Sequence, residues 1–214
     1  LQMGDELHNR HHAASSLFAN QMAIGIAKMG APSERALPTL GYLAGHQLLF
    51  LGLAMACGKA ITDAARDVEY SSLVVAMCRN GTEFGIQVSG LEGEWFVAEA
   101  PEVDGLYLPG YGAADAGRDM GDSAIAETIG WGAFALAGAP GILTLVGGTP
   151  DDALAYTHEM RQITTAKHPK YRIPAVGFEG TSVGIDIRKV VQTGIAPIID
   201  TGIEDDTLIF LLSD

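Results

Sequence analysis

Basic residues are scarce in this chain. Thirteen Lys and Arg stand against 26 Asp and Glu in 214 residues, a formal net charge of −13. Gripping a nucleic-acid backbone requires a basic face, so no nucleic-acid partner is expected. An anionic membrane surface is disfavoured on the same ground. A small anion is still admissible, because a few Arg side chains and helix N-termini can hold one. Cysteine is limited to Cys57, in an apolar helical run, and Cys78, in an apolar strand run. Both are expected to be buried free thiols rather than a disulfide. Long apolar runs are missing too: Leu48 to Cys57 is the longest near-continuous one, too short to span a bilayer. With no signal peptide visible, no membrane association and a cytoplasmic location are expected. Gly-x-Gly-x-x-Gly and P-loop patterns are absent, so no nucleotide cofactor is expected.

What is present is a core-rich composition: 48% hydrophobic residues, a mean hydropathy of +0.19 and 27 glycines. That supports one large domain or two small ones, with many tight turns. Helical spacing runs from Asp5 to about Lys28, with Gly30 as a C-cap. Pro38 to about Asp67 reads as one or two long buried helices, where Gly41, Gly45, Gly52 and Gly58 would permit close packing. The period then changes. Ser72–Cys78 and Glu83–Ser89 read as strands around Asn80-Gly81, a strong hairpin signal. Glu94–Glu99 is a further strand. Gly121-Asp122-Ser123 opens a helix expected to reach about Ala137. Thr149-Pro150 starts another, expected to reach about Ala166. Phe178 and Val183–Ile187 read as edge strands around a Glu179-Gly180 turn.

The fold class is therefore mixed α/β (α+β), a helical subdomain over 1–68 followed by a mixed subdomain over 69–214 with a β-hairpin at about 72–89. One continuous domain is the alternative.

The densest chemistry stands at the start, where Gly4 to His12 reads Gly-Asp-Glu-Leu-His-Asn-Arg-His-His. Polar groups circle the helix axis for two turns, which is costly if buried without partners. Asp5, Glu6, His8 and Asn9 are candidate catalytic residues and Arg10 a candidate anion ligand. A solvated N-terminal turn with a Glu6–Arg10 ion pair is the plain alternative. His8 and His12 have two-ligand spacing on one helix face, but the helical zinc-protease pattern and a Cys cluster are lacking. No metal is expected.

Arg79, Asn80 and Thr82 form a second group. The turn needs only Asn-Gly, and Arg79 could pair with Glu83 across the strands. The chemical version sets Arg79 and the turn amides around an anion. Asp122 and Ser123 form a third, at a helix start whose N–H groups face outward. Glu127 lies one turn on. Asp186, Arg188 and Lys189 form a fourth, with Asp186 and Arg188 on one strand face. Arg188 is a candidate anion ligand, and a surface ion pair is the plain reading. His46 reads as a satisfied core histidine.

Five motifs together carry a resemblance: Met-Gly-Asp-Glu-Leu-His-Asn-Arg at 3–10, Met-Cys-Arg-Asn-Gly-Thr-Glu-Phe-Gly-Ile at 77–86, Gly-Leu-Tyr-Leu-Pro-Gly at 105–110, Gly-Asp-Ser-Ala-Ile-Ala-Glu-Thr at 121–128 and Gly-Ile-Asp-Ile-Arg-Lys-Val-Val at 184–191. In this order they resemble the YlbE/AllG-type family, a domain long without assigned function and often encoded beside FdrA-like proteins. Family members extend further at the N-terminus, so the chain is expected to match their C-terminal half.

The resemblance implies a role in anaerobic allantoin breakdown, in a multi-subunit oxamate carbamoyltransferase. That enzyme converts oxalurate and phosphate to oxamate and carbamoyl phosphate. It also implies an FdrA-like partner subunit, a homo- or hetero-oligomer and a small anionic substrate. A non-catalytic scaffold subunit and a stand-alone amidohydrolase are the competing readings. The resemblance supplies no catalytic set, so the site residues rest on the physical reading.

Overall fold

A computed structural model describes residues 6–46, 49–102, 109–143 and 148–199, with the backbone alone for 6–11 and 142. The chain begins with α1 (Glu6–Lys28), α2 (Ser33–Gly45) and α3 (Leu49–Asp63). α1 stops where Gly30 turns to φ +61°, the left-handed conformation of a helix C-terminus. α1 packs on α2 and α3, and the amide of Phe50 donates to Ser15 Oγ at 3.0 Å.

The helices differ from expectation in burial. No residue of α2 is buried, and α3 buries only Ala54, Gly58 and Thr62. Of the four glycines read as packing sites, only Gly58 meets a neighbour, Ile129 and the Ile125 carbonyl of the later chain. Cys57 therefore lies exposed on α3, not buried, while Cys78 is half-buried; both are free thiols. Burial pushes the Cys78 thiol up, against the pull of Arg79. His46 is exposed rather than in a core, stacked on Tyr42 at 3.8 Å. No single helix among the described residues is long and apolar enough to cross a membrane.

The core is organised by an antiparallel four-stranded sheet in the order β3-β2-β1-β4. β1 (Val74–Asn80) and β2 (Glu83–Val88) form the expected hairpin, with Arg79 opposite Phe84. Asn80 Oδ1 accepts from Thr82 N, Thr82 Oγ1 and Glu83 N, and Gly81 takes φ +88°. The asparagine side chain thus closes the turn in place of a backbone bond. β3 (Phe96–Glu99) is the outer strand on one side. β4 (Met120–Gly121) pairs with the far end of β1. Val74, Met77, Phe84, Ile86, Phe134, Met160, Ile163 and Ile185 fill the main apolar cluster.

The helix expected over 121–137 is broken. α4 covers only Ile125–Thr128, followed by a 3-10 segment at Gly132–Gly138. Gly130 and Gly132 take φ +81° and +58°, which no continuing α-helix permits. α5 (Pro150–Met160) starts as expected, with Thr149 and Asp152 forming a reciprocal capping box. It ends early because Thr164–Ile173 forms β5, antiparallel to β6 (Glu179–Ile185). The expected Glu179-Gly180 turn is therefore strand, and the reversal lies at 174–178. α6 (Ile187–Thr193) follows β6 directly.

Candidate functional site

Arg79 is the charged residue that the sheet handles most deliberately. It sits near the end of β1 opposite Gly121 of β4, with its side chain 1% exposed. A guanidinium cannot be buried without a partner. Asp119, just before β4 and 4% exposed, supplies it. Nε donates to Oδ2 at 2.7 Å and Nη2 to Oδ1 at 3.0 Å, the bidentate fork geometry. Nη1 donates to Ser123 Oγ at 3.2 Å. The guanidinium lies over Gly121, where an added Cβ would stand 3.8 Å from Nη2.

Backbone bonds hold this cluster in place. Gly81 N donates to the Asp119 carbonyl at 3.1 Å, and Asp119 N to the Pro101 carbonyl at 2.9 Å. The arrangement ties the hairpin turn, the end of the 101–119 loop and the start of α4 to one ion pair. Chemically it offers a fixed hydroxyl, Ser123 Oγ, and a guanidinium whose charge Asp119 balances.

The candidate residues separate into three places. Arg79, Asn80, Thr82, Asp122 and Ser123 come together at the β1–β2 turn and the β4–α4 junction. Asp122 is exposed there, and its carbonyl accepts from Ile125 N at 3.2 Å. Neither Asp122 nor Ser123 caps a helix with its side chain; Ala124 holds that position and α4 has one turn only. The cross-strand Arg79–Glu83 pair is not formed: Arg79 turns to Asp119, and Asn80 Nδ2 donates to Glu83 at 3.2 Å instead.

Arg188 lies elsewhere, at the start of α6, its side chain 70% exposed. Asp186 is not a strand residue beside it but the N-cap of α6. Asp186 accepts from Ser72 Oγ at 2.7 Å, from Arg188 N at 2.9 Å and from the Arg188 guanidinium at 3.1 Å. Burial raises this carboxyl, but the bonds from Arg188 and Ser72 outweigh it and hold it below the usual carboxylate range.

The third place is the N-terminal turn. Asp5 lies outside the described residues, and so do the side chains of Glu6, His8, Asn9 and Arg10. Among the described residues no group of three His, Cys, Asp or Glu is placed to hold a metal ion.

One polar residue of this region, Asp119, escapes the sequence reading, although a lone Arg in an otherwise apolar strand demands an acid nearby. Glu127, named there only by its spacing, is buried at 2% exposure, and its Oε1 accepts from Ala133 N at 3.3 Å. A Cβ at Gly132 would overlap its carboxylate.

Comparison with known proteins places these motifs in context. The family described as oxamate carbamoyltransferase subunit AllG matches residues 1–123. The uncharacterized protein YahG of Escherichia coli K12 is 44% identical over 203 residues, 95% of this chain and 43% of that protein. The oxamate carbamoyltransferase subunit AllG of the same organism is 42% identical over 204 residues, 95% of this chain and 49% of that protein. A crystal structure of a conserved protein of unknown function from Enterococcus faecalis V583 superposes with a TM-score of 0.82 at 44% identity, covering 92% of this chain and 48% of that one. The chain thus spans about half the length of the curated relatives it matches. Matched over more than half its residues, the chain belongs to the AllG family.

Proposed function

We propose that this chain belongs to a subunit of an oxamate carbamoyltransferase in allantoin breakdown, moving a carbamoyl group between oxalurate and phosphate. The observation that carries this is the 42% identity to the AllG subunit along nearly the whole chain. Every substrate and product of that reaction is a small anion, the kind of ligand that a few arginines can hold. Acyl transfer to phosphate passes through an oxyanion, which positioned donors stabilise. In this reading His8 serves as general acid–base, oriented by Asp5, with Glu6 and Asn9 completing the wall. Arg10 and Arg188 receive carboxylate or phosphate. Arg79 acts through its Nη1 side, with Ser123, Asp122, Asn80 and Thr82 around it. An FdrA-like subunit completes the assembly.

The test is phosphate-dependent carbamoyl transfer by the full-length subunit together with its genomic neighbours. His8→Ala and Arg10→Ala should each cost at least about a hundredfold in turnover, the scale of losing one acid–base or oxyanion contact. Full activity in both variants sinks the assignment. A scaffold role is the second reading, favoured by the Asp119 carboxylate already occupying one edge of the Arg79 fork. Under that reading, turnover survives both substitutions and complex assembly alone depends on this chain.

A further inference from the structure

The charge of this acidic chain is distributed unevenly. Six of its thirteen basic residues, Arg161, Lys167, Lys170, Arg172, Arg188 and Lys189, fall within residues 161–189, with only Glu179 and Asp186 to oppose them. Residues 83–122 carry nine acidic residues and one basic one, Arg118. The basic segment is the β5–β6 ribbon and its flanks, and the acidic one runs from β2 through β3 to β4, with Asp119 in it buried against Arg79.

Both are exposed edges. β5 is solvent-facing along most of its length, contains Pro169 as edge strands tolerate, and pairs with no strand but β6 among the described residues. Glu179 pairs with Arg161 and Lys167, each at 2.8 Å, whereas Lys170 and Arg172 form no ion pair among the described residues. Tyr171 and Phe178 stand exposed beside them. In the four-stranded sheet, β3 is an outer strand with Val97 and Glu99 facing out. Leu91 and Trp95 are exposed there, rimmed by Glu92 and Glu94. Each surface thus has an apolar centre and a charged rim, and the two rims have opposite sign, the composition of a protein–protein contact.

We propose that the basic β5–β6 ribbon docks on the acidic β3 edge of a second copy of this chain. The acid that complements the ribbon is carried by the same molecule, so the unlike faces of two copies attract locally, against the repulsion of their net charge. A two-fold arrangement forms both contacts at once and closes the pair.

The experiment is sedimentation velocity on the 214-residue chain across salt, with charge-reversed variants. Between about 0.01 M and 1 M salt the screening length falls from about 30 Å to about 3 Å, so the apparent dissociation constant should rise at least about tenfold. K170E/R172E alone and E92K/E94K alone should be monomers, since each sets like charges against each other. Their equimolar mixture should recover association, because the reversed ribbon then meets the reversed edge. Circular dichroism checks that both variants are folded, and these exposed positions leave the core untouched. A wild-type chain that is monomeric at every salt, or a mixture that fails to associate, overturns the proposal. So does a ribbon variant that associates as the wild type does.

Discussion

At the residue scale, the Arg79–Asp119 pair is the feature most sensitive to substitution. Removing one partner of a buried, hydrogen-bonded ion pair leaves the other charge stranded, which costs about 3–5 kcal/mol. Asp119→Ala should therefore destabilise by that amount, read from urea denaturation midpoints. Replacing both residues by apolar ones of similar volume should cost distinctly less, because no buried charge is left over. An equal loss in the single and double variants would show that shape, not charge, dominates the site. Gly132→Ala is the companion case. Its φ of +58° disfavours any side chain, and the new Cβ would displace the Glu127 carboxylate from the Ala133 amide. A loss of about 1–3 kcal/mol is expected, from strain and from an unsatisfied buried group. Arg79 stands out in the sequence as a lone charge in an apolar strand, but its partner Asp119 does not. The two are 40 positions apart and are brought together by the β1–β4 pairing, a two-residue ladder that leaves no periodic trace.

At the element scale, α6 depends on its cap. Asp186→Ala removes the bond to Arg188 N and should cost about 0.5–2 kcal/mol. The pH dependence follows from the direction of its shift. The folded carboxyl titrates below its ordinary value of 3.8, so its contribution is complete above that value and is lost as pH falls through the folded one. Thermal melts of the wild type should lose stability over that acidic range, and Asp186→Asn should flatten the curve.

His168, in the β5 bulge, behaves in the same sense. Burial and the nearby Lys170 charge both lower its pKa from 6.5, and its Nδ1 accepts from the amides of Lys170 and Tyr171. Its contribution is complete above 6.5 and declines as the pH drops through the folded value. His168→Gln should remove that component of the melt below pH 6.5 while leaving the Asp186 component.

Elements with a local signal were legible: the Asn80-Gly81 hairpin, the Thr149-Pro150 helix start and the Gly30 stop. β5 was not, because Lys167-His168-Pro169-Lys170 has neither alternation nor β-branched residues. It is a strand through its pairing with β6 alone. The 121–137 helix was over-read because helical apolar spacing continues through Gly130 and Gly132, whose backbone conformations end it. Burial in the first third was over-read as well, since apolar composition does not reveal what an apolar helix packs against.

At the scale of the whole molecule, stability is unevenly shared. The sheet strands β1 and β2 are buried almost throughout, while α2 buries nothing. Backbone bonds in weakly packed elements open without global unfolding. Hydrogen exchange should therefore protect Val74–Met77 and Phe84–Val88 by orders of magnitude more than Ser33–Gly45. Comparable protection in α2 would mean that another surface covers it in solution.

The segment between β3 and β4 has its two ends fastened together. Ala100 N is bonded to Thr82, Asp119 to Pro101 and Gly81, Glu102 is bridged to Arg118, and the Arg118 guanidinium reaches both Ala100 and Glu99. Chain continuity across the exposed stretch Gly110–Gly117 is then not what keeps the strands in register. A protease cut there should leave two fragments that sediment and melt as one body. It also makes this stretch a natural point of insertion, where added length enlarges a loop whose closing cost grows only slowly with its size.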